Sequence, residues 1–489
     1  MVKYRRGKSL PVDQESPDIS GNESSSTTCT TTCTSTEDVF YSPILKPLST
    51  TTPTGASVPS MIFNLIKNIV GAGVLGLPAG IAAFGDAPSA VIPAIVLIVW
   101  MGSMSAYGFS LIGRLCAYSQ AQSYAGAWQA ATGSGASKWI PTMACMMVTF
   151  SLLLSYSMIL SRTIPDLMLY LHPQWHVSRV EGLLGTTLLI LLPLCLLQDL
   201  QSLAPFSLVG IAGMVYTTLA MMIRYIQGAY QESSVHLHHS SSFLDDLPDE
   251  SLPHFGIKGA THVFSTDAFL LISMLSTAFS AHYNAPKFYW ELQEPSLGAY
   301  QTVVRTSFGG SMMLMALPAM FGFLTFGGAS QGLILHNYSA THDSIMTLSS
   351  FAVTLSLICS YPLAFVGMRN GVLDLLEIPL LQRNRLVHGV TVGLLTVITW
   401  LALEVHDLRM VLALKGATFG TAVMYVFPSY MMIQYQRRRR QQQARSKQQQ
   451  AAQLELMASL ERETPWMVAN AVLGVVFGCI GTYRALQIV

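Results

Sequence analysis

The sequence carries little charge for its length. Asp, Glu, Lys and Arg make up 11% of the 489 residues, whereas a soluble globular protein carries about 25%. Most of the chain therefore has no water-facing surface to cover, which excludes an ordinary soluble protein. The formal net charge is only +1, so no basic excess indicates nucleic acid as a partner.

Cysteine is also sparse, and the chemistry of an enzyme is missing. Five of the seven cysteines lie in or beside apolar stretches, while Cys29 and Cys33 lie in a Thr-rich stretch with no second pair of metal ligands. There is no Gly-rich phosphate loop, no His/Cys cluster and no serine nucleophile at an elbow. We therefore expect no enzyme, metal or cofactor, and no ATP-driven pump.

The first 56 residues differ in composition from the rest. They are rich in Ser, Thr and Pro and poor in large apolar residues, so they cannot bury enough surface to fold. We predict a disordered tail over residues 1–56 and a transmembrane domain over residues 57–489. No cleavable signal peptide is expected, because the first apolar run begins only near Ser60.

Long apolar runs dominate the remainder, and a membrane-spanning helix needs about 20 such residues. The sequence predicts an all-α polytopic membrane protein with about eleven spans, which we number as segments 1 to 11. They cover residues 60–84, 89–113, 139–161, 182–198, 203–226, 267–290, 306–327, 345–366, 386–403, 408–434 and 466–487. The lipid bilayer is thus the first partner that the sequence implies.

Lys and Arg set the expected orientation. With the N-terminus in the cytoplasm, 19 of them fall inside and 6 outside, as the positive-inside rule requires. Asn337 begins an N-glycosylation sequon between segments 7 and 8, on the predicted outer side, where we expect it to be available for modification. No targeting motif distinguishes the plasma membrane from a vacuolar or lysosomal membrane.

Segment 1 contains a cluster of helix-weakening residues. Three glycines and Pro78 fall within the eight residues from Gly71. Non-helical backbone at membrane depth is tolerated where it lines a cavity or is buried in protein. Close packing of helices through small residues explains the glycines equally well.

Segment 6 favours the explanation that the broken backbone of segment 1 lines a cavity. Hydroxyl groups, His282, Asn284 and Pro286 crowd into one apolar stretch. If the first ten segments form two five-helix repeats, segments 1 and 6 occupy matching positions, which is the best sequence sign of a transporter site. A broken helix offers N–H groups to a carboxylate and carbonyl groups to an ammonium, so the paired breaks suit an amino acid.

Both segments resemble the amino acid/auxin permease family, especially its sodium-coupled neutral amino acid branch. In segment 1 the likeness is carried by the run from Asn64 to Pro78. In segments 6 and 8 it is carried by Phe279, His282, Tyr289, Glu291, Leu292, Tyr361, Pro362, Leu363 and Arg369. The resemblance implies a LeuT-like 5+5 inverted repeat plus one helix, alternating access and a small-molecule amino acid substrate.

The candidate site residues follow from this comparison. We expect segments 1 and 6 to bind the substrate through Gly71, Ala72, Gly73, Val74, Ser276, Thr277, Phe279 and Ser280. We expect the coupling of transport to an ion, either Na⁺ or H⁺, to involve Lys67, His282, Thr354, Ser356 and Ser360.

Two of the coupling residues carry alternatives. His282 is either a pH-sensitive group, because histidine titrates near a pH of about 6.5, or a buried histidine that holds two helices together. Lys67 stands where the family branch has a small or polar residue, and a lysine there costs about 2.5–3.5 kcal/mol on insertion scales. It either reaches towards the cytoplasm or takes the place of the sodium ion of LeuT-like proteins and exchanges a proton.

The function predicted from the sequence is secondary active transport of amino acids, with neutral ones favoured. The alternative is a sensor of the same fold that binds amino acids and signals through the tail with little flux. An ion channel is disfavoured, because no series of polar pore-lining residues repeats through the segments. The sequence identifies no protein partner.

Overall fold

The computed structural model describes residues 55–197, 206–231, 243–244, 247–443 and 451–487. The predicted disordered tail lies outside these residues except for its last two, and so do Cys29 and Cys33. The described chain is helical, and its β-type pairing is limited to two isolated bridges, Ala56 with Leu292 and His254 with Gly327.

Apolar helices occur at each of the predicted segments. Eight are long and apolar enough to cross a membrane: Pro88–Ser119, Gly135–Leu171, Arg179–Leu196, Leu297–Phe326, Ser344–Leu375, Arg385–Glu404, Leu408–Gln442 and Leu460–Leu486. Segment 1 is a pair of helices bent by 44°, Val58–Ile69 and Gly73–Phe84, which adds a ninth crossing if the pair is one span.

The two remaining segments are shorter. Segment 5 is the helix Phe206–Ile226, and segment 6 consists of the helices Ala268–Ala278 and Ala285–Trp290 with a break between them. The protein is therefore an all-helical integral membrane protein, while the count of eleven crossings stays a prediction.

Several helices depart from regular α geometry in the membrane. Segment 4 contains a π-helical turn at Thr187–Leu191. Segment 10 begins as the helix Leu408–Lys415, widens into two π-helical stretches, Gly416–Gly420 and Ala422–Val426, and continues as the helix Phe427–Gln443. Single π turns are frequent at functional sites, so two in succession mark segment 10 as unusual.

A buried carboxylate fastens the predicted outer ends of segments 5 and 8. Asp343 accepts hydrogen bonds from the Nε and Nη2 atoms of Arg224, at 2.9 and 2.7 Å, and from the Tyr230 hydroxyl at 2.9 Å. It also caps the first turn of segment 8 by accepting from the Met346 N–H. Burial, and then the neighbouring Asp343 charge, raises the pKa of Tyr230, so its hydroxyl remains a donor.

The loop between segments 7 and 8 overturns one expectation from the sequence. Asn337 is fully buried, its amide nitrogen donates to the Ala329 carbonyl at 2.9 Å, and its Oδ1 accepts from the Gln331 N–H at 2.8 Å. The expectation that this sequon is available is wrong for the folded protein, because the side chain already satisfies the backbone of its own loop.

A different position tests the predicted orientation. Phe264 is 92% exposed just before segment 6, and Phe264→Asn alone completes a sequon with Ser265 and Thr266. We expect this variant, expressed in a glycosylating host, to gain a glycosidase-sensitive increase in mass, since the predicted topology places it outside. The native chain is the control and should show no such increase. An unmodified variant, or a glycan on native Asn337, would contradict the expectation.

Candidate functional site

The helix of segment 1 is interrupted at Val70 and Gly71. Val70 has a ψ of 92° and Gly71 a ψ of −169°, so both leave the helical region. A short 3₁₀ turn, Ala72–Gly76, resumes the chain, and its first closing bond runs from the Val74 N–H to the Gly71 carbonyl. The N–H groups of Gly71, Ala72 and Gly73 therefore have no backbone acceptor among the described residues.

The helix of segment 6 is interrupted in a complementary way. It ends at Ala278, and Ala281 has a φ of −118° and a ψ of 0° before the turn His282–Asn284. Across the break, the Ser280 N–H donates to the Thr277 carbonyl and the Ala281 N–H donates to the Phe279 carbonyl, so the hydrogen bonds span fewer residues than in an α-helix. Within the described chain, no backbone N–H reaches the carbonyl oxygens of Ala278 and Ser280, so this break offers acceptors.

The two breaks lie against each other. A Cβ atom placed on Gly73 would be 3.6 Å from the Cα of Ala278 and 3.8 Å from the Cγ2 of Thr277. A Cβ on Gly71 would be 3.6 Å from the hydroxyl oxygen of Tyr156, on segment 3. Donors of one break and acceptors of the other thus share one region between segments 1, 3 and 6.

Most predicted substrate-binding side chains are already engaged in packing. Thr277 donates its hydroxyl to the Leu412 carbonyl of segment 10, and Ser276 donates to Ile272 in its own helix at 3.0 Å. Val74 and Phe279 are fully buried. The side chain of Ala72 is outside the described part. Among the polar ones, only the buried Ser280 hydroxyl has no partner within the described residues.

The three predicted coupling residues of segment 8 lie on two different faces of that helix, and Lys67 of segment 1 is associated with one of these faces. The partly buried Lys67 interacts electrostatically with the Cys359 thiol. Ser356 and Ser360 flank that cysteine on the same side of the helix, and the Ser356 hydroxyl lies 2.5 Å from the position of a Cβ on Gly210, in segment 5. Lys67 and these two hydroxyls therefore share the face of segment 8 that is turned to segments 1 and 5.

Thr354 belongs to the other group. It lies two helical turns before Tyr361, on the same face, and the Tyr361 hydroxyl bonds to Ser157 of segment 3 at 3.1 Å. The Thr354 hydroxyl is buried and has no partner among the described side chains. It is therefore not brought together with Lys67.

His282 points into segment 2. Its Nε2 lies 2.8 Å from the Ser105 carbonyl oxygen, and because a carbonyl only accepts, Nε2 must carry the hydrogen. The ring packs edge-on against Phe109 and Phe308, with centroids 5.5 and 6.3 Å away. This geometry favours a histidine that holds segments 2 and 6 together.

The predicted cytoplasmic halves of segments 1 and 6 are joined at two levels. Near the breaks, Asn284 donates to the Asn68 Oδ1 at 3.2 Å. At the far end, the Ala56 N–H donates to the Glu291 carbonyl at 2.8 Å, and the Gln293 N–H donates to the Ala56 carbonyl at 3.0 Å. These bonds make the two half-helices one unit.

Sequence reasoning missed two residues of this region. Tyr156 gave no signal, because a tyrosine in an apolar helix is unremarkable. Lys415 gave the same signal as Lys67, a lysine inside an apolar segment, and it is only 4% exposed.

Comparison with known proteins now identifies the family. The sequence profile described as transmembrane amino acid transporter protein matches residues 54–460. The chain belongs to this family. The protein is therefore a transporter-family membrane protein and not an enzyme, and the resemblance read from segments 1, 6 and 8 is confirmed.

Individual relatives of this transporter are distant. The amino acid transporter AVT6D of Arabidopsis thaliana is 24% identical over 80% of this chain and 88% of its own length. The putative sodium-coupled neutral amino acid transporter 11 of Rattus norvegicus is 23% identical over 76% of this chain and 77% of its own.

A solved structure confirms the fold class. Mhp1, a nucleobase-cation-symport-1 family transporter in a closed conformation with bromovinylhydantoin bound, aligns with a TM-score of 0.51 and 11% identity. The alignment covers 89% of this chain and 91% of Mhp1. The predicted LeuT-like architecture is thus confirmed at the level of the fold.

The contact between the breaks gives a first test. Gly73→Val should reduce amino acid uptake by about a hundredfold, since its methyl groups enter the space next to Ala278 and displace the backbone donors. Gly73→Ala should retain uptake, because its Cβ meets the other break at ordinary contact distance. Gly309→Val is the control, since a Cβ there has nothing within 4 Å. Normal uptake by Gly73→Val, measured at equal surface expression, would place the site elsewhere.

The environment of His282 gives a second test. His282→Ala should lower the thermal midpoint of the purified protein, because a lost buried hydrogen bond costs about 1–3 kcal/mol. His282→Gln should recover part of the loss, since its amide can reach the Ser105 carbonyl. Both variants should keep the wild-type pH profile of uptake. A flattened profile in both would instead assign the histidine a protonation role.

Proposed function

We propose that this protein is a secondary active transporter of neutral amino acids that works by alternating access. The observation that carries the proposal is the contact between the two helix breaks. Free N–H groups at Gly71 to Gly73 suit an α-carboxylate, and the free carbonyls of Ala278 and Ser280 suit an α-ammonium group. The two groups are common to all amino acids, so this backbone site recognises the class.

The surrounding side chains favour neutral amino acids. The polar side chains that approach Gly71 and Gly73 at the contact are those of Tyr156 and Thr277, and neither carries a charge at neutral pH. The relative from Rattus norvegicus is also named as a putative neutral amino acid transporter, which agrees with this preference.

Alternating access is supported by the way the half-helices are tied. The N-terminal half of segment 1 and the C-terminal half of segment 6 form one unit through Asn68, Asn284 and Ala56. The breaks beside this unit are natural hinges, because they lack regular helical hydrogen bonds. Movement of the unit would open the site to the predicted cytoplasmic side.

We propose that coupling is to protons and not to sodium, with Lys67 in the place of the ion. In a LeuT-like fold, a sodium ion would bridge carbonyls of segment 1 and hydroxyls of segment 8. Here the Lys67 ammonium interacts electrostatically with Cys359 of segment 8, the residue that Ser356 and Ser360 flank along the helix. A cation held beside segment 8 would repel a sodium ion from the same place.

Uptake by the purified protein in liposomes tests both the transport of neutral amino acids and the coupling to protons. A panel of amino acids is offered while sodium and pH gradients are imposed separately. We expect saturable uptake of neutral amino acids that an acidic exterior stimulates and that is unchanged when choline replaces sodium. Binding without flux would favour the amino acid sensor, and collapse of uptake in choline would contradict coupling to protons.

A matched pair of lysine variants localises the effect. Lys67→Ala should lose accumulation driven by the pH gradient, because it removes the cation beside segment 8. Lys258→Ala, at an exposed position before segment 6, should behave as the wild type. Normal proton-driven accumulation by Lys67→Ala would show that transport does not need a cation at this position.

A further inference from the structure

A second lysine lies inside the membrane domain, and no function has been assigned to it so far. Lys415 ends the first helix of segment 10 and is 4% exposed. Its ammonium group has no hydrogen-bond or acidic partner among the described residues. A buried cation without a counter-charge is costly, and in membrane proteins such a group is a functional candidate by default.

The neighbours of segment 10 show which way position 415 faces. Leu412 approaches Gly76, and Gly416 touches the Ser273 carbonyl, so these two positions face segments 1 and 6. Ala417 lies against Gly478 and Gly481 of segment 11. At 3.6 residues per turn, position 415 falls on a third face, turned to segment 3, the remaining helix packed along this stretch.

The depth of Lys415 matches that of the helix breaks. Arg162 of segment 3 donates to the His406 carbonyl just before segment 10, and this fixes the register of the two antiparallel helices. Nine residues after His406 on segment 10 and nine residues before Arg162 on segment 3, about 13 Å in each helix, Lys415 lies level with Leu153, one turn from Tyr156. The Tyr156 hydroxyl is the group that approaches Gly71.

Few titratable groups surround this position. The first half of segment 6, Ala268–Ala278, and the turn Ala72–Gly76 carry none. Segment 3 presents Tyr156 at this depth, and Asp166 lies about three turns nearer the outer end. Segment 11 presents the exposed Cys479.

The charged groups nearer the outer end are engaged elsewhere. On segment 10 itself, Arg409 pairs with Asp407 at 3.6 Å. On segment 11, Arg484 pairs with Asp267. No titratable group of the described chain interacts electrostatically with Lys415.

We propose that Lys415 is the proton-carrying group of the transport cycle. Its ammonium forms by taking a proton from water when the breaks are open to the acidic side, and it returns that proton to water on the other side. No other bond changes. Lysine suits this role because it can release its proton when desolvated, whereas arginine cannot. The two π-helical stretches directly after Lys415 give segment 10 a place to rearrange as the charge changes.

This inference rests on the proposed transport function and adds a carrier for the proton, distinct from the cation at Lys67. Two assays in liposomes separate the proton-carrying role from the transport function itself. The probe in both is an equimolar mixture of the twenty radiolabelled L-amino acids. The first is accumulation under a gradient of one pH unit at zero membrane potential. The second is exchange of external labelled for internal unlabelled amino acids at equal pH, which needs no net proton movement.

Lys415→Met should lose accumulation, a fall of about tenfold for one proton per substrate, while exchange continues at the wild-type rate. Lys415→Arg should show the same loss, because a fixed charge cannot release a proton. Lys258→Met, at an exposed position, is the control. Lys415→Gln replaces the Met variant if the latter does not elute as the wild type in gel filtration.

Three results would overturn the proposal. They are retained accumulation in Lys415→Met, wild-type accumulation in Lys415→Arg, and loss of exchange together with accumulation in a variant of normal elution and thermal midpoint. A wild-type protein that shows no exchange would contradict the transport function itself, so the two failures are distinguishable.

Discussion

The structure depends on one constraint, the need of buried backbone groups for hydrogen-bond partners. A continuous helix meets this need within itself, whereas a broken helix inside a membrane leaves N–H and carbonyl groups that lipid cannot satisfy. Segments 1 and 6 break at the same place in space, with Gly73 against Ala278. The backbone groups without partners thus face each other, and the proposed zwitterionic substrate would complete their hydrogen bonds.

The polar side chains near the breaks mainly hold helices together. Thr277 ties segment 6 to segment 10, Tyr361 ties segment 8 to segment 3, and His282 ties segment 6 to segment 2. In the proposed function, recognition is left to backbone groups, which would bind the part of the substrate that all amino acids share. Selectivity among amino acids has to come from the few side chains at the edge of the contact, such as Tyr156 and Ser280.

The sequence predicted the helices and both breaks, because apolar length and Gly/Pro density are local properties of the chain. It could not assign side chains to partners, since these depend on helix rotation. Thr354 and Ser356 are two residues apart and face different helices, and the Asn337 side chain turns inward to satisfy its own loop. The sequence shows Lys415 as a lysine within an apolar run. Its burial, and its lack of partners among the described residues, appear only when segments 3, 6 and 11 are packed around it.

Amide hydrogen exchange with and without amino acids measures the central claim most directly. The purified protein in lipid nanodiscs is labelled in D₂O, and peptides covering Val70–Gly76 and Ala278–Asn284 are compared in the two states. We expect a saturating amino acid to slow exchange at the amides of Gly71, Ala72 and Gly73, because each gains an acceptor, while peptides of segments 2 and 9 stay unchanged. Unchanged exchange over Val70–Gly76, with protection appearing elsewhere, would contradict binding at the paired breaks.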